Sequence, residues 1–249
     1  MNLQTHIPFT KNISNLIDYN SKIILLGSCF SDNIGQKLSY HKFESILNPF
    51  GILFHPKAIE TLMSNAVGNK IYSEGDVFLN NEQWHCCDAH SKLSNTSKNY
   101  LINQLNEQID LTSSKLKRAS HIIITFGTAW VYRDIKTDSI VANCHKVPQI
   151  QFDKEILSVA TIEKSIQNTI DLIEKVNQAF TLQNKSQILI EKLLQFLFGP
   201  NLSVPLKDEW FFGIGNGRDL LVLNTVLARH DMSIKELLAL SSPLNKPSL

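Results

Sequence analysis

The sequence predicts an α/β domain built on a parallel sheet with helices on both faces. Three observations lead there. Short, isoleucine-rich apolar runs of strand length recur along the chain. Amphipathic stretches of helical period lie between them. A glycine-serine corner follows the first run.

The first run, Lys22 to Leu26, opens the segment KIILLGSCFSDNIGQKL, which reads as strand, sharp turn and then helix. Gly51 to Phe54 is the weakest strand candidate. Ile122 to Phe126, closed by Gly127, is the clearest, and Ile188-Leu189-Ile190 is a fourth. Between them, Tyr100 to Lys117 predicts a helix with Leu101, Leu105, Ile109 and Leu116 inside. Thr161 to Phe180 predicts another. Ile162, Ile166, Ile170, Ile173, Val176 and Phe180 recur there at three- and four-residue steps, with Glu163, Lys164, Asp171 and Glu174 outward. The runs Lys22–Leu26 and Ile122–Phe126 are expected to be central strands. No repeat, low-complexity tract or linker interrupts the chain, so residues 1–249 are expected to form one domain.

Composition bounds the function. With 24 Lys plus Arg against 23 Asp plus Glu, the formal net charge is +1, which gives no electrostatic footprint for nucleic acid or an anionic membrane. No apolar stretch approaches the ~20 residues that span a bilayer. The start MNLQTHIPFTKN lacks the basic-then-apolar order of a signal peptide. The four cysteines, Cys29, Cys86, Cys87 and Cys144, form no spaced disulfide framework, so a reducing cytoplasm is the expected location.

The chemistry centres on Ser28. A serine just past the carboxyl end of a parallel strand exposes its hydroxyl beside the first amides of the next helix, which can hold an oxyanion as well as cap the helix. The plain alternative is that Ser28 serves only as the helix cap. Cys29 is a second nucleophile type at the corner, but cysteines beside strand ends are commonly small buried residues.

Five motifs follow in order: GSCFS (Gly27 to Ser31), NPFGILFHP (Asn48 to Pro56), WHCCDAHS (Trp84 to Ser91), TFGTAWVYR (Thr125 to Arg133) and VANCHKVP (Val141 to Pro148). Together they resemble the GSCFA family over residues 20–190. GSCFA domains are similar to SGNH (GDSL-like) hydrolases, and this resemblance implies a three-layer, flavodoxin-like sheet and hydrolysis of acyl or acetyl esters on a small molecule or glycan, without a cofactor or metal. It implies Ser28 as nucleophile and the Gly51 amide as an oxyanion donor. It implies Thr128 in place of the usual third-block asparagine, with Asn143 as the nearest asparagine to reach the site.

A serine nucleophile needs a base, and the base needs a carboxylate to orient it. SGNH enzymes take both from a D-x-x-H segment, which occurs nowhere in these 249 residues. The family's serine-proline-valine-arginine-histidine segment is missing as well, so residues 191–249 read as divergent or as the product of a reading-frame slip. Weak or no activity is expected. Candidate bases are His145 first, then His90 with Asp88 two residues before it, while His230 beside Asp231 reads as a boundary residue before the capping box Ser233 to Glu236.

Three rival readings remain. His85, Cys86, Cys87, Asp88 and His90 hold metal-capable groups, but adjacent cysteines make poor tetrahedral partners. GIGNGRD (Gly213 to Asp219) lacks the Lys-Ser/Thr of a phosphate loop and reads as a flexible turn, with Leu220 to Leu240 as a packed helix. Finally, the protein could be a non-catalytic carbohydrate- or partner-binding relic of the hydrolase fold. Substrate and oligomeric state are left open by the sequence.

Overall fold

Lys22–Gly27 forms β1, and all but its first residue are buried, as befits an interior strand covered on both faces. The computed structural model describes residues 16–177 and the backbone of three strands at 188–191, 214–217 and 220–223. β1 pairs in parallel with β2 (Glu44–Leu47) on one side and β5 (His121–Thr125) on the other. β5 in turn pairs in parallel with β9 (Ile188–Glu191), giving the order β2-β1-β5-β9. The expected central strands are therefore central, and Ile188 to Ile190 is a strand of the same sheet.

Four helices accompany this sheet among the described residues: α1 (Cys29–Tyr40), α2 (Pro56–Val67), α3 (Lys98–Leu116) and α4 (Val159–Val176). Period-two alternation divides the strand side chains between the two faces. Ile23, Leu25 and Ile123 meet Ile34 and Leu38 of α1 on one face. Ile24, Leu26, Ile122 and Ile124 join the larger core on the other, with Ile59 and Met63 of α2, Leu105 and Ile109 of α3, and Ile162 and Ile173 of α4. Each helix starts where a side chain meets an orphan amide: Ser28, His55, Ser97 and Ser158 all accept from the first turn.

One sequence expectation is corrected in this region. Gly51 to Phe54 is not a strand. The strand lies just upstream, at Glu44–Leu47, and NPFG is the turn that ends it. Asn48 (φ +39°) and Gly51 (φ +73°) both sit in the left-handed region, and the Gly51 amide donates to Asn48 O at 2.8 Å to close the turn. Helix α2 was not anticipated either, although His55 as cap followed by Pro56 is a standard helix start.

The remaining strands are antiparallel and short. β3 (Phe78–Asn80) and β4 (Gln83–His85) form a hairpin, while β6 (Trp130–Asp134), β7 (Ser139–Val141) and β8 (Phe152–Ile156) form a separate sheet in the order β7-β6-β8. β10 (Ile214–Gly217) pairs antiparallel with β11 (Leu220–Leu223). The expected flexible turn at Gly213 to Asp219 thus contains a strand, and the helix expected from Leu220 starts as one. The expected helix end at Phe180, His230 and the capping box at Ser233 lie outside the described residues.

Candidate functional site at the Ser28 corner

Gly27 makes the corner possible. Its φ of +118° suits glycine, and a Cβ on it would lie 1.8 Å from Thr125 O. Its amide donates to Asn48 Oδ1 at 2.8 Å, and its carbonyl accepts from Leu53 N at 3.0 Å, so the NPFG turn is laced to the end of β1.

Ser28 follows as the cap of α1, and only 4% of its surface is exposed. Its Oγ lies 2.8 Å from Thr125 Oγ1 and accepts a long bond from Phe30 N at 3.4 Å. Its amide donates to Thr125 Oγ1 at 2.8 Å and to Thr125 O at 3.2 Å. Ser31 Oγ, one turn on, also meets Thr125 Oγ1 at 2.9 Å and donates to Leu26 O.

Of the other expected site residues, Gly51 and Thr128 reach this rim, through the backbone. Gly127 follows β5, and a Cβ on it would stand 3.6 Å from Ser28 Cβ and 3.0 Å from Phe54 Cδ1. The amides of Gly127 and Thr128 both donate to Phe54 O, at 2.7 and 3.1 Å. Thr128 Oγ1 accepts from Trp130 N at 3.0 Å. Gly51 packs on His90, whose Cβ would be 2.5 Å from a Cβ added at Gly51. In this geometry the amides of Ser28, Gly51 and Thr128 are all already hydrogen-bonded, so an oxyanion would have to displace Thr125, Asn48 O or Phe54 O to use them.

A cavity of about 360 Å³ is lined by Phe54 and Thr128, by Trp130, Tyr132 and Phe152 of the small antiparallel sheet, and by Asn143. Ser28 is not in the lining.

The family model for GSCFA matches residues 22–183. The chain belongs to the GSCFA family. No curated protein matches it, and no solved structure does. The match spans all five motifs, and residues 184–249 of this GSCFA chain lie outside it.

Within the GSCFA domain, His145 does not serve Ser28 in this geometry. It is 3% exposed, its Nε2 donates to Cys86 O at 2.7 Å, and its ring lies 4.6 Å from that of His85. Its Nδ1 is buried without a hydrogen-bond partner. Burial lowers its pKa to about 4, against the opposing pull of the Cys86 carbonyl, so the ring is neutral at pH 7. Asn143 holds the same loop, its Oδ1 accepting from His145 N at 2.8 Å.

Asp88 does not pair with His90. Its Oδ2 accepts from Tyr72 OH (2.9 Å), Lys70 Nζ (3.2 Å) and Asn65 Nδ2 (3.3 Å), which ties α2 to the WHCC loop. His90 stays half-buried on the Gly51 turn. Its Nδ1 accepts from Lys92 N at 3.2 Å, and its Nε2 makes no hydrogen bond among the described residues. Burial and then Lys92 lower its pKa, while the Asp32 carboxylate works the other way.

The metal-capable cluster is spoken for by protein groups. His85 spends both ring nitrogens, on Ser94 Oγ (2.6 Å) and Asn80 O (3.0 Å). Burial, with the Asp88 charge behind it, pushes the Cys86 and Cys87 thiols up to about 12, which leaves them protonated. Among the described residues no three His, Cys, Asp or Glu side chains are grouped to hold a metal, and no helix is long and apolar enough to cross a membrane.

Two residues that organise the corner are not marked as site residues by the sequence: Thr125 and Asn48. Asn48, 8% exposed, bridges the Gly27 amide and, at 3.5 Å, Asp32 Oδ1 on the first turn of α1. A signal for it existed. A polar residue between an apolar strand and Pro-Phe-Gly is a turn position whose side chain is free to bond backbone.

Proposed function

We propose that this GSCFA protein is a slow ester hydrolase of the SGNH type, with Ser28 as nucleophile. The observation that carries the reading is the placement of Ser28. It stands at the carboxyl end of a central parallel strand, at the mouth of α1, on a glycine corner whose geometry excludes any side chain at position 27. Ser28 Oγ would attack the acyl carbonyl and the alcohol would leave with the serine's proton; water would then release the acid. The base this arrangement favours is His90, which packs on the Gly51 turn with an unpartnered Nε2 and feels the Asp32 carboxylate. Slow turnover is the expectation for two reasons. Ser28 is buried with its hydroxyl on Thr125, and the oxyanion amides must first exchange partners.

The test uses the full chain with nitrophenyl acetate and butyrate, and a fluorophosphonate probe. Labelling at Ser28 and a loss of roughly 10³-fold or more in turnover for Ser28→Ala support the reading. Esterase activity that survives Ser28→Ala removes it. A second reading, a non-catalytic carbohydrate- or partner-binding fold, is favoured by the occupied amides at the corner and by a cavity that opens beside Ser28 and not onto it. Absence of both turnover and labelling would select that reading.

A further inference from the structure

The cavity next to the Ser28 corner combines an aromatic wall with unspent neutral hydrogen-bonding groups. Alternation along β6 puts Trp130 and Tyr132 on one face of the small sheet. Phe152 of β8 meets Tyr132 edge-on at 6.4 Å. Trp130 keeps 40% of its surface exposed although Lys154 Nζ stands over its ring at 4.8 Å, a large open area for an indole. The lining also includes three polar groups with capacity left. Asn143 uses Oδ1 on the His145 amide, and its Nδ2 has no partner among the described residues. Thr128 Oγ1 only accepts, from Trp130 N, so its proton can still be donated. The Gln149 amide makes no hydrogen bond there either.

The lining contains no carboxylate, ammonium or guanidinium group. Lys154 stands close by, with Nζ 4.8 Å from the Trp130 ring centre and 6.0 Å from that of Tyr132, where the π faces engage it. An acyl tail would fill the aromatic wall but leave the amides facing hydrocarbon. A sugar satisfies both sides: its C–H faces stack on aromatic rings, and its hydroxyls take the amides and the threonine. A volume of about 360 Å³ falls at the small-ligand end of binding sites.

We propose that this cavity is a subsite for a neutral sugar, with Trp130 as the stacking platform and Asn143 Nδ2 as a hydroxyl-reading donor. The proposal rests on the Ser28 reading in one respect only. The lining residues Phe54 and Thr128 flank Gly127, whose position lies next to Ser28, so an O-acyl group on the bound sugar is the part of the ligand assigned to Ser28. The substrate class would then be an O-acylated neutral sugar.

Calorimetry and saturation-transfer NMR on the full chain test it, with glucose, galactose, N-acetylglucosamine and their O-acetyl forms as probes, and glucuronate and hexanoate as competitors of other chemistry. The expected result is binding of a neutral sugar that Trp130→Ala weakens about tenfold or more and Asn143→Ala several-fold, with both variants melting near the parent. Binding unaffected by Trp130→Ala, or binding of hexanoate or glucuronate but of no neutral sugar, overturns the proposal, as does failure of every neutral sugar to bind. Binding without fluorophosphonate labelling would sink the hydrolase reading alone, and labelling without sugar binding would sink the subsite alone.

Discussion

Ser28 and Thr125 are joined by side chain and backbone at once. The two hydroxyl oxygens stand 2.8 Å apart, and the Ser28 amide donates to both Thr125 Oγ1 and Thr125 O. One threonine at the end of β5 thus fixes the rotamer and the backbone of the serine that follows β1 and caps α1. Because Ser31 shares the same oxygen at 2.9 Å, the first turn of α1 is locked to β5 as well.

Thr125→Val should therefore cost about 1–3 kcal/mol, since the isosteric methyl leaves the Ser28 amide and the two serine hydroxyls short of a buried partner. Urea denaturation measures it. An unchanged midpoint would show that these groups find other partners at no cost.

The two left-handed glycines should differ in their response to alanine. Gly27→Ala drives a Cβ to 1.8 Å from backbone oxygen and is expected to lose more than about 4 kcal/mol or fail to fold. Gly51→Ala meets His90 Cβ at 2.5 Å and should destabilise less, because a loop carries His90. Gly75→Ala, with nothing nearer than Ser73 Oγ at 3.9 Å, should stay within about 0.5 kcal/mol of the parent. Thermal melts of the three variants give the ranking directly.

Acid should destabilise the fold between pH 6.5 and about 4 through two histidines. His55 and His145 are 4% and 3% exposed, and burial lowers both from 6.5 to about 4, in each case against the pull of a backbone carbonyl. Below pH 6.5 the unfolded chain takes up protons that the folded chain refuses, so stability falls with pH; below about 4 both states are protonated and the loss stops growing. Each ring contributes on the order of 3 kcal/mol across that window. His145→Gln, which keeps a donor for Cys86 O, should flatten the dependence. A parent whose urea midpoint is the same at pH 4.5 and pH 7 would contradict the neutral, buried state of these rings.

Asp88 should matter for stability and not for metal. Asp88→Asn weakens bonds from Lys70, Tyr72 and Asn65 together and is expected to cost about 1–3 kcal/mol. A strong chelator should leave the parent's melting temperature unmoved, because the neighbouring His85 has both nitrogens bonded within the protein. A chelator-induced drop in melting temperature would revive the metal reading of the WHCC loop.

What the sequence determined by itself is the frame around Ser28. Runs such as Ile23–Leu26 and Ile122–Phe126 are buried on both faces, so their composition alone marks them as interior strands. The α3 and α4 stripes are set by 3.6-residue periodicity, and Gly27-Ser28 is a corner by chain stereochemistry. These are local properties, carried by residues within a few positions of each other. The same locality misplaced β2, whose ESIL has little apolar contrast, and hid the three-residue strands, which are too short to show a period. Only the tertiary structure decided what each polar group does. His145 finds Cys86 O 59 residues away, Ser28 finds Thr125 at a separation of 97, and Asp88 meets Tyr72 and Lys70 from another segment. A histidine's motif says nothing of its burial, and burial is what turned His145 from the leading candidate base into a neutral core ring. The cavity is likewise a product of assembly. Its walls come from β6, β7, β8 and the Phe54 turn, segments that meet only because the small antiparallel sheet folds back beside the carboxyl ends of β1 and β5.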